Sequence, residues 1–348
     1  FFAMAVAALA AAWAAALACA SAGIDGAATA IAALAWTDVC ALALAAAAIA
    51  VLGSWIRYSG IPAIDVPMTT EERRGADPKG DPKGAERYEG EGLAEQDGEI
   101  VCYDPATRRV IKRKPITTPK EVEKAVQKAA EAQKIWEKSS FGKRRMLLRI
   151  IQKYVIEHQS DICRVAARDS GKPMLDAAFG EVLTTCEKIR WLLSEGEKAL
   201  KPESRSAGAL TFYKSARVEF HPLGVVGAIV PWNYPFHNIL NPVTAALFAG
   251  CGIVVKVSEY ASWSSEYYER ILHAALDAVG APRDLVTIVT GFGSTGQALV
   301  QSPGISKVIF VGSTGIGRKV LASAAENLTP VVLELGGKDP IVVCDDAN

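Results

Sequence analysis

Two side chains in the second half of the chain are of types that perform acyl chemistry when a fold holds them still. Asn233 lies in Pro231-Trp232-Asn233-Tyr234-Pro235. Prolines on both sides restrict the backbone, so its NH2 group can be aimed at an oxygen that turns negative during reaction; the same loop can equally be an aromatic turn that only packs. Glu334 sits inside Val331-Val332-Leu333-Glu334-Leu335-Gly336-Gly337. A carboxylate within an apolar run is costly to bury unpaired. Desolvation favours its protonated form and suits it to general-base work, unless a lysine pairs with it. Further along the chemistry turns to nucleotides. Lys256 and Glu259 can bracket the two hydroxyls of a ribose, and the carboxylate repels a 2'-phosphate, which favours NAD over NADP; as a surface ion pair they would contribute little. Gly312-Ser313-Thr314-Gly315-Ile316-Gly317 lets the backbone approach a pyrophosphate that free N–H groups attract. Gly291 and Gly293 leave space for a flat ring such as adenine, or simply make a turn.

These residues need a scaffold, and the hydrophobic pattern supplies one. Short apolar runs at Val225 to Val230, Ile253 to Val257, Val286 to Thr290, Lys307 to Val311 and Val331 to Leu335 alternate with helical segments near 237–249, 263–279, 294–301 and 316–327. Runs without polar alternation read as strands buried on both faces, and strand–helix–strand spacing predicts a parallel sheet of the α/β, Rossmann type. Ligands of such sheets bind beyond the carboxyl ends of the strands, where all the motifs above fall. Upstream, helices are predicted over Thr118 to Lys138, Lys143 to Ser170 and Met174 to Gly196, and Ala209 to Phe220 alternates as a strand pair or arm.

Composition bounds the class. The chain has 348 residues, with 38 Lys plus Arg against 38 Asp plus Glu, so there is no basic surplus to release counterions from a nucleic acid, and DNA and RNA partners are set aside. The cysteines, Cys19, Cys40, Cys102, Cys163, Cys186, Cys251 and Cys344, are odd in number and irregular in spacing. They read as reduced thiols, Cys251 and Cys344 as core thiols at the ends of strands, and no metal site is expected. The first 56 residues carry only Asp25 and Asp38 as charges. Phe1 to Ala22 and Val39 to Ile56 are each about long enough to cross a bilayer, although alanine gains little there. With Arg57, Arg73 and Arg74 following, 1–57 is expected to be a helical hairpin that anchors the protein with its folded part toward the cytosol, the endoplasmic reticulum being one candidate membrane. An organelle-targeting segment and a low-complexity extension are the alternatives. Residues 58–98, rich in Gly, Pro and charge, read as a flexible linker, which leaves 99–348 for the folded part.

PWNYP, KVSE, GSTGIG and LELGGK, in this order and spacing, resemble the aldehyde dehydrogenase superfamily, and the apolar N-terminus with EVLTTCEKIRWLLSEGEKALKPE is similar to its membrane-anchored plant and fungal branch. The resemblance implies an aldehyde-dehydrogenase-like fold. It makes Asn233 the oxyanion-hole amide and Glu334 the general base, and gives Lys256 and Glu259 the adenosine ribose and Gly312 and Ser313 the pyrophosphate. Ile229, Pro231, Trp232 and Leu335, with Gly291 and Gly293, would line the cofactor cleft. It further implies an aldehyde as substrate and a homo-oligomer, when the protein is complete, built partly through an arm at 209–222. The nucleophilic cysteine is expected a few dozen residues beyond Glu334, and only 14 residues follow it here. The chain is therefore expected to be the cofactor-binding half, with most of the catalytic domain missing and no activity by itself. The rival readings are a non-catalytic, membrane-tethered nucleotide-binding scaffold and a relative that passes the acyl group to CoA or phosphate.

Overall fold

The computed structural model describes residues 51, 53, 54, 58–74, 84–90 and 95–347. The hairpin expected over 1–57 lies almost wholly outside them, and among the described residues no helix is long and apolar enough to cross a membrane. The chain divides into two units, Phe1–Pro62 and Ala63–Asn348; the second holds everything that follows.

Five parallel strands form its centre: β6 (Val225–Ile229), β7 (Gly252–Lys256), β8 (Val286–Val289), β9 (Ile305–Gly312) and β10 (Val331–Leu335). They lie side by side in the order β10-β9-β6-β7-β8. The chain winds outward from β6 through β7 to β8, then returns to lay β9 on the other side of β6. The strand order reverses between β6 and β9, and crevices that bind ligands open at such reversals. One face of the sheet is covered by α2 (Pro119–Trp136), α8 (Gly293–Gln301) and α9 (Thr314–Ala325), which enclose Val122, Val126, Val254, Leu299, Val308 and Phe310 at 3% exposure or less. Each such side chain contributes about 1.5–3 kcal/mol of burial. Against the other face pack α6 (Pro235–Ala249) and α7 (Ser262–Ala278).

The strands and helices predicted for this part are present with ends shifted by a few residues. Only β7 is buried throughout. β10 is an edge strand on which Val331 and Leu333 are half-buried while Val332 and Glu334 are exposed, so the expectation of burial on both faces fails there because one face has no covering layer. Residues 340–344 form no strand, and Cys344 is exposed rather than a core thiol; Cys251 is buried and accepts the Leu223 N–H at 3.3 Å.

Upstream the pattern hid more. A three-stranded antiparallel sheet of β1 (Glu95–Gln96), β2 (Glu99–Tyr103) and β3 (Val110–Pro115) precedes the helices, concealed because β3 reads VIKRKP. α2 begins as predicted, with a capping box between Thr118 and Glu121. The single helix expected over 143–170 is two, α3 (Phe141–Glu157) and α4 (Gln159–Ser170), broken at His158 where the backbone leaves the helical region. α5 runs over 174–199 and is interrupted by π-helical turns at Ala178–Leu183 and Leu192–Gly196. β4 (Glu203–Arg205) and β5 (Ala216–Val218) then pair only with each other. Part of the expected linker, 63–74, makes contacts with the folded part. α1 (Thr70–Arg73) carries its own capping box, Glu71 pairs with Arg109 at 2.7 Å and Arg168 at 3.0 Å, and Glu72 pairs with Arg270 at 2.7 Å. Arg109 and Arg168 are buried, and Arg270 is half-buried against the buried Glu72.

Candidate active site

β6 ends at Ile229, and Val230 to Tyr234 cross its tip before Pro235 opens α6. Asn233 is exposed there. Its side-chain oxygen accepts from Asn238 Nδ2 at 3.1 Å, its backbone carbonyl accepts from Lys172 Nζ, and Asn238 Nδ2 also donates to the Pro231 carbonyl at 3.3 Å. Lys172 follows Gly171, the left-handed residue that ends α4. Its ammonium pairs with Glu181 at 2.8 Å and lies 3.7 Å from the centre of the Tyr234 ring. Glu181 is fully buried, and burial pushes its carboxyl up against the opposing pull of Lys172. Its second oxygen accepts the N–H groups of Phe236 and His237 at 3.1 and 2.9 Å, capping the first turn of α6 where two backbone donors would otherwise lack partners. The π turn at Ala178–Leu183 carries Glu181, and Gly180 in the same turn lets the Tyr234 ring approach: a Cβ on Gly180 would lie 2.0 Å from it. Burial lowers the His237 pKa, and its Nδ1 lies 3.0 Å from the Thr185 hydroxyl.

Lys256 closes β7 with its ammonium 3.3 Å from Glu259, and the Ser258 hydroxyl donates to the same carboxylate oxygen at 3.4 Å. Burial pushes the Lys256 ammonium down, against the attraction of Glu259. Half-exposed Trp232 meets Tyr260 edge to face at 6.5 Å, so the loop after β6 and the loop after β7 touch. Both border a cavity of about 410 Å³, together with Asp169 and residues of β2. Across the reversal, Gly312 ends β9 and Ser313 takes the N-cap of α9 without using its hydroxyl to cap. Gly317 is buried against Phe310 and Leu335, and a Cβ there would come within 2.7 Å of Leu335. Small residues thus draw the start of α9 against the strands, leaving its first N–H groups at the crevice.

Gly291 has φ +157°, and a Cβ on it would meet the Thr295 hydroxyl at 2.0 Å, so turn geometry by itself requires glycine; Gly293 faces open space. Glu334 stands on the exposed side of β10, two strands from β6, and among the described residues is not hydrogen-bonded to Asn233. Its expected burial is not met, because the edge strand leaves that face open. Of the described cysteines, Cys102, Cys163, Cys186 and Cys251 all have thiols raised by burial, Cys102 to about 12 and Cys186 to about 11, which keeps them protonated and unreactive. Lys172, Glu181 and Asn238 were not foreseen from sequence. Gly-Lys-Pro at 171–173 reads as a helix stop, and nothing local marks Glu181 as buried.

Residues 93–348 match the model of the aldehyde dehydrogenase family. The chain belongs to that family. An aldehyde dehydrogenase-like protein of Saccharomyces cerevisiae is 42% identical over 72% of the chain and 40% of its own length, and one of Schizosaccharomyces pombe is 41% identical over 71% of the chain and 47% of its own. The crystal structure of PnpE in complex with nicotinamide adenine dinucleotide aligns with a TM-score of 0.64 at 29% identity, over 69% of this chain and 48% of that one. The chain thus spans less than half the length of these two yeast relatives. An aldehyde-dehydrogenase-like α/β fold with a parallel sheet is what the sequence predicted, and both the family and the sheet are found.

Proposed function

We propose that the full-length protein oxidises an aldehyde to a carboxylic acid through a cysteine thioester with NAD as oxidant, and that this chain supplies the cofactor-binding half with two of the residues that act on the substrate. The observation that carries the reading is Asn233, exposed at the tip of the central strand with its main chain held by Lys172, which pairs with the buried Glu181. An amide so fixed stabilises an oxyanion without having to reorganise as charge develops. The residues around the crevice fit a dinucleotide: glycines where a Cβ would collide, open N–H groups at the start of α9, and a lysine–glutamate pair at the end of β7. The family supports a nicotinamide dinucleotide, NAD or NADP, and a similar protein is crystallised with NAD; Glu259 favours NAD over NADP because its charge opposes a 2'-phosphate. When bound, NAD would supply the hydride acceptor. Asn233 donates to the carbonyl oxygen of the substrate, Lys256 and Glu259 orient the ribose, and Glu334, on the open side of β10, takes a proton from the water that releases the acid.

NADH formation by the full-length protein over an aldehyde panel tests the reading, with Glu334→Gln beside it. The variant is expected to build up acyl-enzyme and to turn over at least 100-fold more slowly. Hydrolysis of the acyl group at the normal rate would remove Glu334 from that role. An acid product formed without CoA or phosphate excludes the acyl-transferring relatives. The same proposal places the protein on a membrane through 1–57 with its folded part toward the cytosol, supported by two uncharged runs and Arg57. Retention of full-length protein in membranes after alkaline carbonate washing is expected, and its release, or a cleaved N-terminus, would favour a targeting segment.

A further inference from the structure

We propose that Asn238 is a positioning residue that decides which end of the Asn233 amide faces the reacting oxygen; the proposal rests on Asn233 being the oxyanion donor. Asn238 lies in the first turns of α6 and turns its Nδ2 back toward the loop, where it meets the Pro231 carbonyl at 3.3 Å and Asn233 Oδ1 at 3.1 Å. The first contact settles the sense of the second. A peptide carbonyl can only accept, so the end of Asn238 that faces Pro231 is its NH2 group, whose two hydrogens serve both partners. The atom of Asn233 against that NH2 is then its amide oxygen, because two NH2 groups in contact would form no bond. The NH2 of Asn233 consequently points away from α6.

The two ends of an asparagine amide have almost the same shape and opposite hydrogen-bonding character. A half turn about the last side-chain torsion would present a carbonyl oxygen to the developing negative charge, replacing attraction with repulsion. Pro231 and Pro235 restrict the loop, and Lys172 holds the Asn233 carbonyl; neither acts on that torsion. The bond from Asn238 does.

The test uses the full-length enzyme. Asn238→Asp places an acceptor where a donor stood, so Asn233 is expected to turn its NH2 inward. kcat should fall on the order of 100-fold, as for loss of an oxyanion donor, with KM for the dinucleotide close to wild type and a lowered melting temperature, because the carboxylate also faces the Pro231 carbonyl, which only accepts. Asn238→Leu removes the lock without inverting it, and a loss of only a few-fold is expected. In an Asn233→Ala background neither change should lower kcat further, since a residue acting through another is not additive with it. Without turnover, 15N spectra should show the Asn238 side-chain NH2 protected from hydrogen exchange and that of Asn233 exchanging freely, the order reversing for Asn233 in the aspartate variant. Additive losses in the double variants, or an aspartate variant with unchanged kcat, would overturn the positioning role. Undiminished kcat in Asn233→Ala would overturn the oxyanion reading itself, and this proposal with it.

Discussion

At Asn233 the backbone carbonyl and the side-chain oxygen are both engaged, by Lys172 and Asn238, which leaves the NH2 as the group presented at the tip of β6. Asn233→Ala is therefore expected to lower kcat by about 10²–10³ while dinucleotide affinity, followed by fluorescence titration, stays within twofold. Glu259 argues separately, through charge. Its carboxylate lies 3.3 Å from the Lys256 ammonium and one side of it remains open. An exposed unit charge opposing a phosphate about 4 Å away is worth roughly 1 kcal/mol. Glu259→Gln should reduce the ratio of kcat/KM for NAD over NADP about fivefold, and an unchanged ratio would place cofactor discrimination elsewhere.

Among the elements, α4, α5 and α6 meet at one buried ion pair. Lys172 at the end of α4 neutralises Glu181 on the π turn of α5, and Glu181 caps α6. Lys172→Met would leave a buried carboxylate with only two backbone donors, a loss of about 3–5 kcal/mol that urea unfolding would report; Glu181→Gln added to it should recover part of the deficit. A second link joins α4 to α7. Asp169, buried, accepts the Ser264 N–H at 3.0 Å, and burial raises its pKa to about 6 from 3.8 despite that bond. The folded state thus holds a proton that the unfolded chain has already lost. The stability this provides is complete below about pH 4 and disappears as pH rises through about 6, amounting to roughly 3 kcal/mol. Urea midpoints of wild type minus those of Asp169→Asn should fall across that window, and a flat difference would contradict the shift.

On the scale of the whole folded unit, the β10-β9-β6-β7-β8 order puts the loops after β6 and β9 on opposite sides of one crevice, while β4 and β5 form a separate two-stranded sheet, the arm. Leu210, Phe212 and Tyr213 on that arm are 94%, 83% and 71% exposed. The homo-oligomer implied by the family resemblance would need an apolar patch of this kind as a surface for another chain. Phe212→Ser with Tyr213→Ser is expected to shift the full-length protein to a smaller species in sedimentation velocity at unchanged dinucleotide affinity. An unaltered sedimentation coefficient would remove the arm from assembly.

Much of this was legible in the chain because it depends on neighbours in sequence. The apolar runs of β6, β7, β8 and β9, the capping box of Thr118 and Glu121, and the strand–glycine–helix succession at 307–317 are local patterns, and they predicted both the parallel sheet and the family. The surroundings of each side chain were settled by contacts between distant segments. Whether Glu334 is buried depends on what covers an edge strand; whether 63–74 is held depends on Arg109, Arg168 and Arg270, 35 or more residues further along. Even the sense of the Asn233 amide, set by groups only five and seven residues apart, is decided when the first turns of α6 bring Asn238 back to the Pro231 carbonyl. Periodicity records which way a side chain faces on its own element, whereas burial, ion pairing and hydrogen-bond sense belong to pairs of elements and come into being only when the chain has folded.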